Sequence, residues 1–214
     1  MLNARAKLSP DSDKNRSVSN SRIPLFRVVT FCGLGSLGFL ADVFSKAYIF
    51  GRYFIPYQSP IQHWWIEGVL GVETTTNPGA LFGMFAGYRW LFAALSVVAL
   101  ACIIVWLFVL GGAHDRWLNT SLGLVTGGIL GNLYDRLGFG FRANYPAEIQ
   151  YNVRDWVYFR IKGVPLFDPW PNFNIADSLL VCGAILLVLH SFFGSTGHRQ
   201  DSESDAMTPQ DSNS

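Results

Sequence analysis

From Trp90 to Leu110 the chain runs 21 residues with a single serine and no charged side chain. At about 1.5 Å of rise per helical residue, that length crosses a hydrocarbon core of roughly 30 Å. A backbone in lipid must satisfy its own hydrogen bonds, so a segment of this kind folds as a helix and constrains where its neighbours go. Three weaker segments share the pattern: about Leu25 to Phe50, uncharged from Val28 to Ala41; about Leu118 to Phe139; and about Ile175 to Phe193. Composition agrees with this reading. The 214 residues are 50% hydrophobic and 14% charged, with a mean hydropathy of +0.26, as in a polytopic membrane protein rather than a soluble domain.

The expected fold is therefore an all-α membrane protein, a four-helix transmembrane bundle with a small β-containing outer loop region. The bundle occupies residues 24–194, between polar tails at 1–23 and 195–214 that are expected to be disordered. No short apolar region with a small-residue cleavage site opens the chain, so no removable signal peptide is expected. Cys32, Cys102 and Cys182 each fall in a separate apolar segment and read as reduced packing residues, not a disulfide framework. A net charge of +1 without a basic face excludes a nucleic-acid partner.

Arg5, Lys7, Lys14, Arg16, Arg22 and Arg27 precede or open the first span. Charges flanking the first helix usually set orientation, which places both termini in the cytoplasm. The loops at 51–88 and 140–174 then share the outer face. Asp42 and Lys46 lie late in span one, Asn132, Asp135 and Arg136 late in span three, and Asn174 and Asp177 early in span four. Every polar cluster thus gathers at one bilayer surface, whichever way the protein inserts. Val69 to Thr76, rich in β-branched residues and followed by Asn77-Pro78-Gly79, reads as a strand and turn. Trp64, Trp65, Trp156, Tyr158, Trp170 and Phe173 suit interfacial anchoring, with direct substrate contact the alternative.

Carboxylates at a membrane boundary are costly, which makes them functional candidates. Each has a plainer reading as well. Asn132, Asp135 and Arg136 stand at i, i+3 and i+4 on one helix face, where Asp135 and Arg136 could simply neutralise one another. Asp42 and Lys46 form the same kind of i, i+4 pair. Asn174 after Pro171 looks like an N-cap, and Asp177 falls at the third helical position, where the helix dipole favours negative charge. Asp155, in Val-Arg-Asp-Trp-Val-Tyr-Phe, has no such local explanation. Two carboxyls held together share one proton, and such a pair can activate water and protonate a leaving amine without a metal or a nucleophilic side chain. His63, His114, His190 and His198 lack ligand spacing, so no metal or other cofactor is expected. Ser45 and Lys46 diverge on a helix. Gly33 to Gly38 formally matches a dinucleotide fingerprint but follows no strand, and reads as helix packing.

Five ordered phrases between about Phe39 and Leu189 resemble those of bacterial lipoprotein signal peptidases, also called signal peptidase II. Asp42-Val-Phe-Ser-Lys46 resembles the family's Asp-x-x-(Ser/Thr)-Lys. Asn77-Pro-Gly79-Ala-Leu-Phe82 is similar to Asn-x-Gly-x-x-Phe, and Gly127 to Arg136 matches Gly-Gly-x-x-Gly-Asn-x-x-Asp-Arg. Val153-Arg-Asp155-Trp resembles Val-x-Asp-Phe, and Phe173-Asn174-Ile-Ala176-Asp177 resembles Phe-Asn-x-Ala-Asp.

The resemblance implies an aspartic endopeptidase with Asp155 and Asp177 as the catalytic pair. Asn77, Gly79, Asn132, Asp135, Arg136 and Asn174 would bind substrate or brace the site, supported by Asp42 and Lys46. It further implies cleavage of diacylglyceryl-modified prolipoproteins before the lipidated Cys, at the outer surface of the inner membrane, and sensitivity to globomycin. The expected partners are lipidated prolipoprotein and membrane lipid, and the expected state is a monomer. The stretch from Arg136 to Asp155 is longer than family members usually have, with Phe141 to Tyr151 as the apparent insertion, and Asp168 is a competing acid beyond it. A proton-coupled membrane carrier using the same carboxylates is the alternative, although span two offers it no ionisable group.

Overall fold

In a computed structural model, residues 22–79, 88–141 and 145–206 are described, with side chains considered to residue 193. Four long helices stand beside one small sheet. The chain order is α1 (Leu25–Tyr53), β1 (His63–Ile66), β2 (Leu70–Asn77), α2 (Arg89–Ile104, continued by a π-helical turn at Val105–Val109), α3 (Arg116–Arg136), β3 (Val153–Phe159), β4 (Trp170–Phe173) and α4 (Ile175–Ala206).

Three helices are long and apolar enough to cross a membrane: Leu25–Tyr53, Arg89–Val109 and Ile175–Phe193. The fourth expected span, α3, has a membrane-crossing length of 21 residues but too polar a sequence to qualify by hydropathy. The reason is its central position. Packed between α1 and α4, it buries Asn119, Ser121, Thr126, Asp135 and Arg136 inside the bundle. Its small residues permit close approach there. A Cβ on Gly127 would sit 3.0 Å from the carbonyl oxygen of Gly35 and 3.3 Å from Cα of Gly38, and one on Gly123 would sit 3.2 Å from Cβ of Leu34. Gly35 and Gly38, two of the three α1 glycines that mimic a dinucleotide fingerprint, are thus the other half of a helix crossing, whereas Gly33 faces open space. Leu37, Phe44, Val97, Val98, Val181 and Phe192 instead remain exposed along α1, α2 and α4, as a lipid-facing surface requires.

Cys32, Cys102 and Cys182 are free and exposed. Cys32 and Cys102 stand on exposed helix faces rather than packing the interior, and Cys182 lines a groove beside α4. The other end of the bundle is closed by Phe31, Ile103, Leu107, Leu118 and Leu122, by the Asn119 amide donating to the Arg27 carbonyl at 3.1 Å, and by His190 beside Asp115 at 2.7 Å. Helical backbone is described to Ala206, past Ser195, where the polar tail is expected to begin. Most of the expected N-terminal tail lies outside the described residues.

The β content exceeds the strand and turn expected from sequence. Strands β1, β2, β3 and β4 form one antiparallel sheet in that order. The expected strand is β2, at the sheet's centre; β1 and β2 come from the α1–α2 loop, β3 and β4 from the α3–α4 loop, so the two loops fold as one unit. Trp65 meets Trp156 with ring centres 6.0 Å apart, and Trp64 meets Tyr158 at 5.2 Å, tying β1 to β3. These aromatics build the sheet, a use beyond the two anticipated for them. The helix crossing yields a direct test: Gly127→Val should destabilise the protein by about 1–3 kcal/mol through overpacking, seen as a lower unfolding midpoint in detergent micelles.

Candidate active site

The acids converge where the sheet meets the ends of α1, α3 and α4. Lys46 is fully buried, and its Nζ lies 2.6 Å from Asp42 Oδ2, 3.1 Å from Asp135 Oδ2 and 3.2 Å from Asn132 Oδ1. An ammonium carries three protons, so all are satisfied. Asp42 Oδ1 in turn accepts the backbone N–H of Ala176 at 2.9 Å, fixing the first turn of α4 against α1.

Asp135 does not neutralise Arg136, its neighbour in sequence. It accepts from Arg154 instead, through Nε at 2.9 Å and the backbone N–H at 3.1 Å, with Nη2 in ion-pair contact at 2.7 Å. Arg136 leaves that face and donates Nη2 to the Gly79 carbonyl at 2.7 Å, with its guanidinium over the Phe92 ring. The Asp135–Arg136 pairing anticipated from helical spacing is therefore replaced, because β3 delivers a better-placed guanidinium to Asp135. The strand's alternation explains how: Arg154 turns toward Asp135, and Asp155 turns the opposite way, into a groove.

That groove has a volume of about 870 Å³ and is lined by Asp155, Asp177, Asn132, Arg136, Asn77 and Gly79, together with Phe92, Trp170, Phe173 and part of α4. Asn174 joins the two acids. Its Nδ2 donates to Asp155 Oδ1 at 2.6 Å, its backbone N–H donates to Asp177 Oδ2 at 3.1 Å, and its Oδ1 accepts the Asp177 N–H at 2.9 Å. The last two bonds are the reciprocal cap read from sequence, and the first shows that Asn174 does more than cap. Asn132 completes the frame by donating to Asp177 Oδ1 at 2.8 Å and accepting from both Lys46 and Asn174. Asn77 accepts the Gly79 N–H at 3.0 Å and adds a side-chain hydrogen bond to Asp155.

Burial pushes the Asp155 carboxyl up to about 8, and the nearby Asp177 charge pushes in the same direction, against the pull of Lys46, Asn174 and Asn77. Asp168, the competing acid, lies elsewhere: it pairs with Arg160 at 2.5 Å and accepts the Gly163 N–H at 2.8 Å in the β3–β4 connection. Asn152 donates to Thr76 at 3.2 Å, while in the apparent insertion Tyr145 meets Phe54 and Tyr151 meets Trp90; none of its described residues lines the groove. Among the described residues no cluster of His, Cys, Asp or Glu could hold a metal.

Sequence reasoning missed Phe92, Glu73 and Asn172 as groove residues and Arg154 as the partner of Asp135. Glu73, Thr75 and Asn77 alternate along β2, a period-two signal that could have exposed the first. Phe92 sits in an unbroken apolar run and gave no signal.

Residues 34–193 match a family model described as signal peptidase (SPase) II. A lipoprotein signal peptidase of Rhodopirellula baltica is 48% identical over 169 residues, covering 79% of this chain and 74% of that relative. One from Rhodococcus jostii is 40% identical over 131 residues, or 61% of this chain and 58% of the relative. A bacterial membrane enzyme solved by the in meso method at 2.3 Å resolution shares the fold, with a TM-score of 0.63 and 22% identity over 82% of this chain and 93% of its own.

The raised Asp155 carboxyl has a consequence for stability. Unfolded, it would ionise near 3.8; folded, it keeps its proton until about 8, so rising pH costs stability across that window. Asp155→Asn removes this penalty. The variant should gain more thermal stability over the wild type at pH 8 than at pH 4, as measured by unfolding in micelles.

Proposed function

The chain belongs to the signal peptidase II family, peptidases that remove signal peptides from prolipoproteins, and from that premise we propose that it is an aspartic endopeptidase whose reacting groups are Asp155 and Asp177. The observation that carries this reading is Asn174, bonded to both carboxyls at once. A shared proton rests on Asp155, whose carboxyl is raised to about 8. Asp177 accepts two N–H groups and lies in the first turn of α4, where the helix dipole favours negative charge.

The chemistry follows from that division. Asp177 takes a proton from a water as its oxygen bonds to the scissile carbonyl carbon, and Asp155 gives its proton to the carbonyl oxygen. As the tetrahedral species collapses, one of its hydroxyls returns a proton to Asp155 and re-forms the carbonyl, the C–N bond breaks, and the proton gained by Asp177 passes to the departing amine. Arg136 keeps Nη1 buried and without a partner among the described residues, so it is available to a substrate carbonyl at the groove wall. Asn132, Asp135, Asn174, Asn77 and Gly79 hold the frame, with Asp42 and Lys46 beneath.

The substrate in this reading is a diacylglyceryl-modified prolipoprotein, cut before its lipidated Cys. The lower groove wall of Leu180, Val181 and Cys182 suits an apolar segment reaching the dyad from within the bilayer. All four helices span the inner membrane, both termini are cytoplasmic, the site faces outward and the enzyme acts as a monomer blocked by globomycin. A carrier is disfavoured because the buried charged groups Asp42, Lys46, Asp135, Arg136, Arg154 and Asp155 collect at one end of the bundle instead of forming a path across it.

Asp155→Asn and Asp177→Asn should each lower processing of a lipidated substrate by about 10²- to 10⁴-fold while the protein still inserts. In the wild type, kcat/KM should fall as pH rises through about 8, when Asp155 loses its proton. A gel-shift processing assay at several pH values checks both.

A further inference from the structure

Beyond the two acids the groove wall changes character. Toward the membrane it is the apolar flank of α4; over the sheet it presents Glu73, Thr75 and Asn172. The Glu73 carboxylate is held by neutral donors, Gln62 Nε2 to Oε2 at 2.8 Å and Asn172 Nδ2 to Oε1 at 3.2 Å. Asn172 Nδ2 also lies 3.1 Å from the Glu73 carbonyl oxygen and 3.2 Å from Thr75 Oγ1. These contacts pin the irregularity of β2 between Val72 and Thr75. Among the described residues no cation lies within ion-pair distance of Glu73. Its charge is oriented but not neutralised.

We propose that Glu73 is a specificity-determining residue, favouring substrates with a cationic side chain at the second residue of the released mature chain and disfavouring an acidic one there. The inference rests on the peptidase reading above. Thr75 pairs opposite Asp155, and Glu73 lies two residues further along β2, at most about 7 Å away at strand rise and less across the irregularity. An extended peptide advances at a similar rate, so a chain whose last signal residue lies level with Asp155 and that runs along β2 brings its second mature residue, two places on, abreast of Glu73. Direction follows from the surroundings. The apolar signal segment keeps to the bilayer side, and the mature chain leaves across the sheet. A half-exposed carboxylate facing one mobile cation is worth roughly two- to five-fold in kcat/KM.

The test uses full-length enzyme in detergent micelles and three diacylglyceryl-modified prolipopeptides that differ only in Lys, Ser or Glu at the second mature residue. The Lys-to-Glu ratio of kcat/KM should lie above one in the wild type, fall toward one in Glu73→Gln and invert in Glu73→Lys. Taken within one enzyme sample, the ratio does not depend on how much of a variant is folded. Added sodium chloride should also shrink the wild-type ratio through screening. Cleavage of the Ser peptide with an equal Lys-to-Glu ratio in wild type and Glu73→Gln would overturn the role of Glu73 and leave the peptidase standing. A Ser peptide left uncut by the wild type would overturn the peptidase reading and this inference with it.

Discussion

A lysine with no solvent exposure organises everything around it. Lys46 extends from α1 to two carboxylates and an amide, on α1 and α3, at 2.6, 3.1 and 3.2 Å. Asp42 passes the connection to the first turn of α4 through the Ala176 N–H, and Asp135 passes it to β3 through Arg154. The elements that carry Asp155 and Asp177 are therefore both tied to the same buried charge. Removing one partner from a buried pair leaves a charge with nothing to offset it, at about 3–5 kcal/mol. In the reaction proposed above, Asp42, Lys46 and Asp135 act by fixing where Asp155 and Asp177 stand.

Charge balance then accounts for the shared proton. The buried groups include three cations, Lys46, Arg136 and Arg154, and face four carboxyls, Asp42, Asp135, Asp155 and Asp177. Asp42 and Asp135 are directly ion-paired; Asp155 is not, and is instead bonded by neutral amides. Neutralising the last negative charge by protonation is the inexpensive solution in a water-poor site. The raised Asp155 carboxyl follows first from burial and then from the nearby Asp177 charge, and in the reaction proposed above it supplies the proton that the hydrolysis needs.

Much of this was legible in the residues themselves. Apolar length located α1, α2 and α4, and the convergence of acids at one bilayer surface followed from counting spans. The cap formed by Asn174 and Asp177 followed from Pro171 and the i, i+3 spacing. Other features were not local. The spacing of Asp135 and Arg136 suggested a pair, but Arg154, 19 residues from Asp135, arrives by strand pairing that no helical periodicity reports. Strands β3 and β4 escaped notice because their aromatic residues read equally well as interfacial anchors. The hydropathy of α3 is low because its neighbours, not lipid, surround its polar groups, so a central helix looks less like a span than its outer companions.

The central claim is that Asp155 and Asp177 hold one proton between them in the resting site. Carbon-13 NMR of enzyme with labelled aspartate carboxyls, titrated in micelles, tests it most directly. One proton should leave in a step near pH 8 that moves the Asp155 signal and, in the same step, the Asp177 signal. Two carboxyl signals that stay in the ionised range from about pH 6 upward, with no step between them, would contradict the account.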